Sequence, residues 1–136
     1  MSRFLIPFAE PEGALRAVDA FLREPRDDSH TVHLAAVVEP LRPGKVMMFV
    51  SAERAEAMVR EAARRWLTPL EAKLAEAGVP FVSEIVLGAP RSTIRTLTQR
   101  ADIDRVLLPP PRTGMLGRRD IERIRDLSPH PVTVAA

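Results

Sequence analysis

A loop in the last third of the chain combines the residue types with which proteins hold anions. A short apolar run ends in three prolines at residues 109–111, and Gly114 and Gly117 follow, three residues apart. Arg118 and Arg119 then open a helix-like stretch. Backbone N–H groups of a glycine loop at a helix N-terminus can bind an anion, and arginines add positive charge. The pattern predicts a phosphate cradle, although a tight turn with a solvated basic face fits the same residues.

The rest of the chain offers little for catalysis or metal binding. It has no cysteine, which excludes disulfides, thiolate catalysis and cysteine-ligated metals. The histidines show no metal-ligand spacing; His33 is interpreted as structural within a strand, and His130 as exposed between prolines. Asp102 and Asp104 are interpreted as helix-end and turn residues. The sequence therefore predicts no catalytic residue and no metal site.

Composition narrows the class of protein and its partners. A chain of 136 residues that is 46% hydrophobic suits one domain, here residues 1–136, with one buried core. Its 20 basic and 18 acidic residues are too balanced to indicate nucleic-acid binding. No apolar run approaches the roughly 18 residues of a membrane span, and the first residues lack a signal-peptide pattern. We therefore expect a cytoplasmic protein with no membrane and no nucleic-acid partner.

Apolar runs and helical periodicities alternate along the whole chain. Strands are predicted at residues 3–8, 31–38, 80–87, 105–108 and 132–134. Helices are predicted at residues 52–77 and 120–127. Two further helices are predicted, one that begins at Pro11 and stops before Pro25, and a short one that Ser92 caps. Such alternation predicts an α/β, doubly wound, Rossmann-like domain: a five-stranded parallel sheet with right-handed crossovers and helices on both faces. The last strand should lie at an edge of the sheet.

The helical periodicities also predict which side chains point inward. Leu15 should be buried in the first helix and Leu127 in the last. The long helix should carry one apolar stripe, in which Trp66 and Leu70 anchor it to the sheet; the stripe comprises Ala55, Val59, Ala62, Trp66, Leu70, Leu74 and Ala77. Pro69 should kink this helix or divide it after Leu67. The apolar segment at residues 46–50 could be either core cover or a partner surface.

Several segments in this order resemble the universal stress protein family over nearly the whole length. Each segment is a weak signal alone, and their order and spacing together carry the resemblance. The segments are Phe4-Leu5-Ile6-Pro7-Phe8, Val37-Val38-Glu39-Pro40, Val86-Leu87-Gly88-Ala89-Pro90, Ala101-Asp102-Ile103-Asp104-Arg105-Val106-Leu107-Leu108 and Ser128-Pro129-His130-Pro131-Val132-Thr133-Val134. The resemblance implies the nucleotide α-hydrolase-like fold.

The resemblance also identifies binding positions and two departures from them. ATP-binding members carry Gly-x-x-Gly, nine residues, and then Gly-Ser or Gly-Thr. Here Gly114 and Gly117 match the first part, but Arg118-Arg119 stand where the second part should be, without the spacer. The Asp that ends the first strand in ATP binders is replaced by Ala9. The implied nucleotide- or anion-binding positions are Pro7, Val37, Gly114, Gly117, Arg118 and Arg119.

By this resemblance, we expect a non-catalytic stress-response module of a bacterial type. It would act as a homodimer, paired through its C-terminal strand, and would bind an unknown protein partner. No cofactor is expected, and a small anion such as phosphate could bind near Gly117. The alternative is an ATP-binding stress protein with slow ATPase or nucleotide-switch activity. An enzyme acting on adenylylated substrates rests on fold analogy alone.

Overall fold

The computed structural model describes residues 2–24, 29–40, 51–111 and 116–136. Helices and strands alternate through these ranges. They are β1 (Ser2–Phe8), α1 (Pro11–Arg23), β2 (His30–Val38), α2 (Ala52–Glu76), β3 (Phe81–Leu87), α3 (Pro90–Leu97), β4 (Arg105–Leu108), α4 (Arg118–Leu127) and β5 (Val132–Val134). The predicted positions of the five strands are therefore confirmed to within a residue, and the segment at residues 46–50 lies outside the described residues.

The strands form one parallel sheet in the order β3-β2-β1-β4-β5. β1 lies at its centre and pairs along its whole length with β2, from Ser2 opposite His30 to Phe8 opposite Ala36. The chain first builds outward from β1 to β3, then crosses back and builds outward from β4 to β5. The predicted doubly wound fold and the edge position of the last strand are confirmed. The switch point, where such sheets bind ligands, lies between the carboxyl ends of β1 and β4.

Alternate side chains of the strands supply two hydrophobic layers, one on each face of the sheet. Ile6 and Leu107 face α1 and α2, whereas Leu5 and Val106 face α3 and α4. The first layer is completed from the helices by Ala14, Ala17, Val18, Phe21, Ala63, Leu67, Leu70 and Leu74. The second is completed by Ile94, Leu97, Ile121 and Ile124. Both faces of the centre of the sheet are therefore covered, as expected for a parallel sheet.

Two inward assignments from the sequence are wrong. Leu15 is 37% exposed and Leu127 is 54% exposed. The buried stripe of α1 instead runs through Ala14, Ala17, Val18 and Phe21, so Leu15 is turned about 100° away from the sheet. In α4 the buried residues are Ile121 and Ile124, and Leu127 is the last residue of the helix.

The long helix α2 is continuous through Pro69, so the predicted division after Leu67 is wrong. Pro69 is exposed, and the preceding Thr68 hydroxyl donates to the carbonyl of Arg64 at 3.0 Å. The buried stripe also differs from the prediction, because it uses Ala63 and Leu67 where we expected Ala62 and Trp66. Trp66 is half-buried and packs against the edge of the α1–α2 layer.

Both ends of α2 follow the predicted signals. The Ser51 hydroxyl accepts from the backbone N–H of Arg54 at 3.1 Å and caps the first turn. Gly78 has a φ of 71°, the left-handed conformation that glycine adopts most easily after a helix.

Within the described ranges, no helix is both long enough and apolar enough to cross a bilayer.

The start of α3 corrects a further prediction. The N-cap is Ala89 and Pro90 is the first helical residue, so Ser92 lies inside the helix and does not cap it. A Cβ at Gly88 would overlap the Thr93 hydroxyl, so a larger residue in the turn before the helix would force the Thr93 side chain to shift. This tight turn brings the beginning of α3 to the switch point of the sheet.

Candidate functional site

The described residues enclose only a small cavity in the crevice at the switch point. This cavity measures about 20 Å³ and lies between the ends of β1 and β4, the start of α3 and the residue before Gly117. It is lined by Phe8, Ala9, Glu10, Pro90, Ile94, Pro109, Pro110 and Leu116. Such a volume admits about one water molecule. Among the described residues, the crevice therefore has room for a water but not for a nucleotide base.

The N-terminus of α1, which opens beside this crevice, is capped by a carboxylate of the same chain. Glu10 is the N-cap, and its side chain accepts from the backbone N–H groups of Gly13 at 2.5 Å and Glu12 at 3.1 Å. The absence of a side chain at Gly13 makes this possible, because a Cβ there would overlap the Glu10 carboxylate. The donors that a phosphate would use at this helix are thus already engaged by a negative group.

The N-terminus of α4 also carries a carboxylate, but here it lies inside the helix and accepts from the N-cap residue. The Asp120 carboxylate accepts from the backbone N–H of Gly117 at 2.9 Å, and lies 3.6 Å from the Arg91 guanidinium of α3. Arg118 and Arg119 are the first two residues of α4, and both are exposed. Their charges oppose the helix dipole, and the Asp120 carboxylate in the same turn offsets them. In the sequence, this arrangement is visible as Gly-x-x-Asp, which is half of a capping box. A search for a glycine loop does not detect it, because it does not consider the Asp.

The predicted binding residues that the structure describes do not line one common cavity. Pro7 is buried within β1, and Val37 is fully buried in β2 against the α3–α4 layer. Gly114 lies outside the described residues. Gly117 is half-buried at the N-cap of α4, whereas Arg118 and Arg119 extend into solvent. The structure instead brings together Ala9, Glu10 and Gly13, of which the sequence prediction used only Ala9. Asp120 lies at the N-terminus of α4, where it contacts Gly117 and Arg91.

A second cavity, of about 250 Å³, adjoins the first on the α1 side. It lies between the first turn of α1 and the proline run, and its charged side chains are Glu10, Glu12 and Arg16. Arg16 is 3.8 Å from Glu12 across one turn of the helix. Two carboxylates against one guanidinium make this cavity a poor site for the phosphates of a nucleotide.

A polar cluster at the opposite end of the sheet ties the α3–β4 loop to β3. Arg100 contacts Glu84 and makes two hydrogen bonds to Asp102, at 2.6 and 2.9 Å. These hydrogen bonds hold the pKa of Asp102 below its usual value, against the opposing effect of burial. His130 Nε2 lies 2.6 Å from the carbonyl of Arg100 and the ring is half-buried, so the expectation that His130 is exposed is wrong.

These contacts give the cluster a structural role. Asp104 likewise accepts from the backbone N–H of Arg3 at 2.8 Å, which fixes the start of β4 beside β1. Within the part of the chain that the structure describes, no three His, Asp or Glu side chains lie close enough to hold a metal ion.

Solved structures share this fold across nearly the full chain. The hypothetical protein MJ0577 superposes with a TM-score of 0.76 at 20% identity, covering 98% of this chain and 94% of that one. Universal stress protein UspA from Lactobacillus plantarum gives 0.70 at 20% identity, with 99% and 97% covered. A universal stress protein family protein from Arabidopsis thaliana, solved with AMP bound, gives 0.69 at 15% identity, with 99% and 91% covered.

A search of curated proteins found no match to this chain. The family model described as the universal stress protein family, by contrast, matches residues 1–135. That match covers every strand and helix described above, and it agrees with the fold shared by the solved structures. The chain belongs to the universal stress protein family.

Proposed function

We propose that this protein is a non-catalytic universal stress protein module of the bacterial stress response, which acts through dimerisation and partner binding. The observation that carries the proposal is the crevice at the switch point, because the chain fills it with its own groups. The cavity there is about 20 Å³. Glu10 and Asp120 occupy the N-termini of α1 and α4, and Ala9 stands where ATP binders of the family carry an Asp.

Electrostatics argues against ATP in this crevice. The phosphates would have to approach the carboxylates of Glu10 and Asp120, or displace Glu10 from the N-terminus of α1, where such a cap contributes about 1 kcal/mol. Displacing this cap alone would cost about 1 kcal/mol, or roughly a five-fold loss of affinity. The exposed arginines at the start of α4 offset part of this cost. We therefore expect weak ATP binding and no resident cofactor.

Calorimetric titration with ATP-Mg tests this expectation. The predicted result is no dissociation constant tighter than about 10 µM. The double variant Glu10→Gln/Asp120→Asn is the informative comparison, since it removes both negative charges while keeping a side-chain oxygen at each cap. It should bind ATP-Mg more tightly than the parent chain. A tight constant in the parent chain would favour the nucleotide-binding alternative.

That alternative is an ATP-binding protein with slow hydrolysis or a nucleotide switch. The observation in its favour is the AMP bound to the Arabidopsis thaliana family member, whose fold this chain shares. Denaturation with and without ATP-Mg gives an independent measure, because a ligand that binds only the folded state raises the midpoint.

The proposed dimer contact is the edge strand β5. Among the strands that the structure describes, β5 pairs with β4 alone, and an open edge of a sheet invites pairing with another strand. A second copy would pair with it antiparallel about a two-fold axis. Light scattering at tens of micromolar should then show a dimer, which Val132→Pro should weaken by removing a backbone donor.

The other edge strand supplies the control for this experiment. β3 is seven residues long, and its Val82 is 51% exposed. Val82→Lys should leave a β5-mediated dimer unchanged, whereas it would disrupt a dimer formed through β3. A monomer for the parent chain in light scattering would refute dimerisation at either edge. The chemistry of any protein partner has to be identified separately, for example by crosslinking to the intact module.

A further inference from the structure

The outer side of β3 is the longer of the two open edges in the described sheet. Among the described strands β3 pairs with β2 alone, and that pairing runs without interruption from Phe81 to Leu87. The strand at the opposite edge, β5, is three residues long. Every residue of β3 is at least partly exposed, and Val82 is 51% exposed, whereas five of the nine residues of β2 are buried. The described residues therefore leave the whole length of β3 in contact with solvent.

The backbone of β3 presents alternate residues to this edge. At the two ends of the pairing with β2, the Val32 N–H donates to the carbonyl of Pro80 at 2.9 Å, and the Gly88 N–H donates to the carbonyl of Val38 at 3.0 Å. Hydrogen bonding in a parallel pair uses every second residue of a strand. The even-numbered residues of β3 therefore bond to β2, and the odd-numbered residues direct their N–H and C=O groups outward. These residues are Phe81, Ser83, Ile85 and Leu87.

β3 lacks the features with which proteins usually protect an edge strand. Its seven residues include no Lys and no Pro, and its pairing with β2 contains no bulge. Such features normally prevent an edge from pairing with another chain. The one charged residue of β3, Glu84, is engaged by Arg100. A row of outward donors and acceptors on an unprotected strand is a template for strand addition.

Glu84 determines which kind of strand fits this edge. It is the central residue of β3, and it shares the Arg100 guanidinium with Asp102. Two carboxylates against one guanidinium leave this trio with a net negative charge. The three side chains are between 31% and 41% exposed, so a neighbouring strand can reach them. A basic side chain opposite Glu84 would balance the charge, because opposite charges on neighbouring strands attract.

A second copy of the chain is a poor match for the same edge. If two β3 strands paired antiparallel about a two-fold axis, with all their outward groups bonded, Glu84 would lie directly opposite the same residue of the second copy. That position is a non-hydrogen-bonded pair, in which the side chains are closest. Like charges directly opposite each other destabilise a sheet. The edge thus favours a different protein, with a basic residue at this position, over self-pairing.

We propose that the β3 edge binds a protein partner by strand addition. The partner contributes an extended segment, antiparallel to β3, with a Lys or Arg opposite Glu84 and apolar side chains opposite Val82 and Val86. The antiparallel direction is the more stable one per residue. The inference rests on the proposed function, because it gives that partner-binding role a surface and a chemistry. The β5 edge stays available for the dimer, since it lies on the other side of the sheet.

The probe is the peptide acetyl-Thr-Val-Thr-Lys-Thr-Val-Thr-amide, titrated into the intact chain and followed by backbone NMR. It should bind in the micromolar to low millimolar range and shift the amide signals of the four outward residues of β3. The same peptide with Glu in place of Lys should bind at least about five-fold more weakly, because a repulsive pair replaces an attractive one. Glu84→Gln should remove most of this preference for Lys.

Two matched pairs test the backbone contact. N-Methylation of the two central Thr residues of the peptide, whose N–H groups face β3, should abolish binding, whereas N-methylation of the two Val residues should not. In the protein, Ser83→Pro removes one outward N–H and should also abolish binding. Its control, Ser83→Ala, loses the hydroxyl bonded to Glu71 but keeps the N–H, and should bind as the parent does. Circular dichroism of each variant excludes a loss of binding through unfolding.

Binding that needs the Lys, Glu84 and the inward N–H groups of the peptide supports the proposal. No binding, equal binding of the Lys and Glu peptides, equal binding of the two methylated peptides, or shifts confined to β5 would each overturn it. So would β3 shifts that follow protein concentration without peptide, because these would identify a second copy as the occupant. Light scattering separates this result from the proposed dimer. A dimeric parent that ignores the peptide refutes the β3 site alone, and a monomeric parent that binds the peptide refutes the dimer alone.

Discussion

Replacing Glu10 with Ala should destabilise the fold by removing the cap of α1. The carboxylate accepts from the N–H groups of Gly13 and Glu12, and neither alanine nor its backbone can replace it. Loss of such a cap costs about 1 kcal/mol, and loss of a negative charge at the helix N-terminus adds about 0.5 kcal/mol. For a domain of this size, the sum of about 1.5 kcal/mol corresponds to a fall in Tm of roughly 5 °C.

A matched control lies two residues away. Glu12 is also acidic and lies in the first turn, but its side chain is 57% exposed and faces Arg16 across 3.8 Å. Glu12→Ala should therefore cost less than about 0.5 kcal/mol, as surface pairs do. Urea denaturation of the parent and both variants measures the difference. Equal losses in the two variants would refute the capping role of Glu10.

The close approach of Gly13 to Glu10 allows a double-mutant cycle that tests the capping role of Glu10. A Cβ at Gly13 would overlap the Glu10 carboxylate and would stand 3.1 Å from the Cβ of Pro109. Gly13→Ala should thus displace the Glu10 carboxylate from the helix N-terminus in the parent chain. In the Glu10→Ala background this carboxylate is already absent. The change in the free energy of unfolding caused by Gly13→Ala should therefore be about 1 kcal/mol more favourable in Glu10→Ala than in the parent chain. A coupling energy below about 0.3 kcal/mol would show that the two residues are independent.

Three further predictions test the core, the polar cluster and the start of α4. Leu67→Ala should lower the free energy of unfolding by about 3 kcal/mol, and Trp66→Ala by about half as much, because of these two only Leu67 is fully buried. Equal losses of the two variants in urea denaturation would contradict this. The lowered pKa of Asp102 stabilises the fold above the unfolded pKa of about 3.9, and that stability is lost as pH falls through the lower folded value. The advantage of the parent over Asp102→Asn should accordingly be constant above about pH 5 and shrink below it, and pH-independent curves would refute the pairing. Inorganic phosphate should slightly raise the Tm of the parent but not of Arg118→Ala/Arg119→Ala, and equal protection of both would place the anion elsewhere.

Strand positions and their order along the chain were predictable because each buried strand is an apolar run between turn signals. The runs around Leu5 and Val106 are short and flanked by charged or proline residues, which sets their limits. The face that each helix buries was harder to predict. Leu15 and Leu127 are apolar residues at helical spacing, but the face that packs depends on where each helix crosses the sheet. In α4, for example, that face ends at Ile124.

The candidate site shows the same limit more strongly. Ala9 could be identified from family resemblance, but the roles of Glu10 and Asp120 depend on side chains folding back onto helix N-termini. No spacing in the sequence distinguishes a carboxylate that caps a helix from one that faces solvent, unless the start of the helix is already known.

The two layers of the core become available at different times as the ribosome delivers the chain. The layer under α1 and α2 draws nearly all its residues from positions 6–85, so it can begin to form once β3 has emerged. Leu5, Ala35 and Val37, on the other face, wait for partners between residues 94 and 124. At typical synthesis rates, roughly 5–20 residues per second, the nascent sheet carries a bare apolar face for several seconds. That interval exposes the half-made protein to chaperones, and chains stalled after β3 should crosslink to them far more than chains stalled after β5.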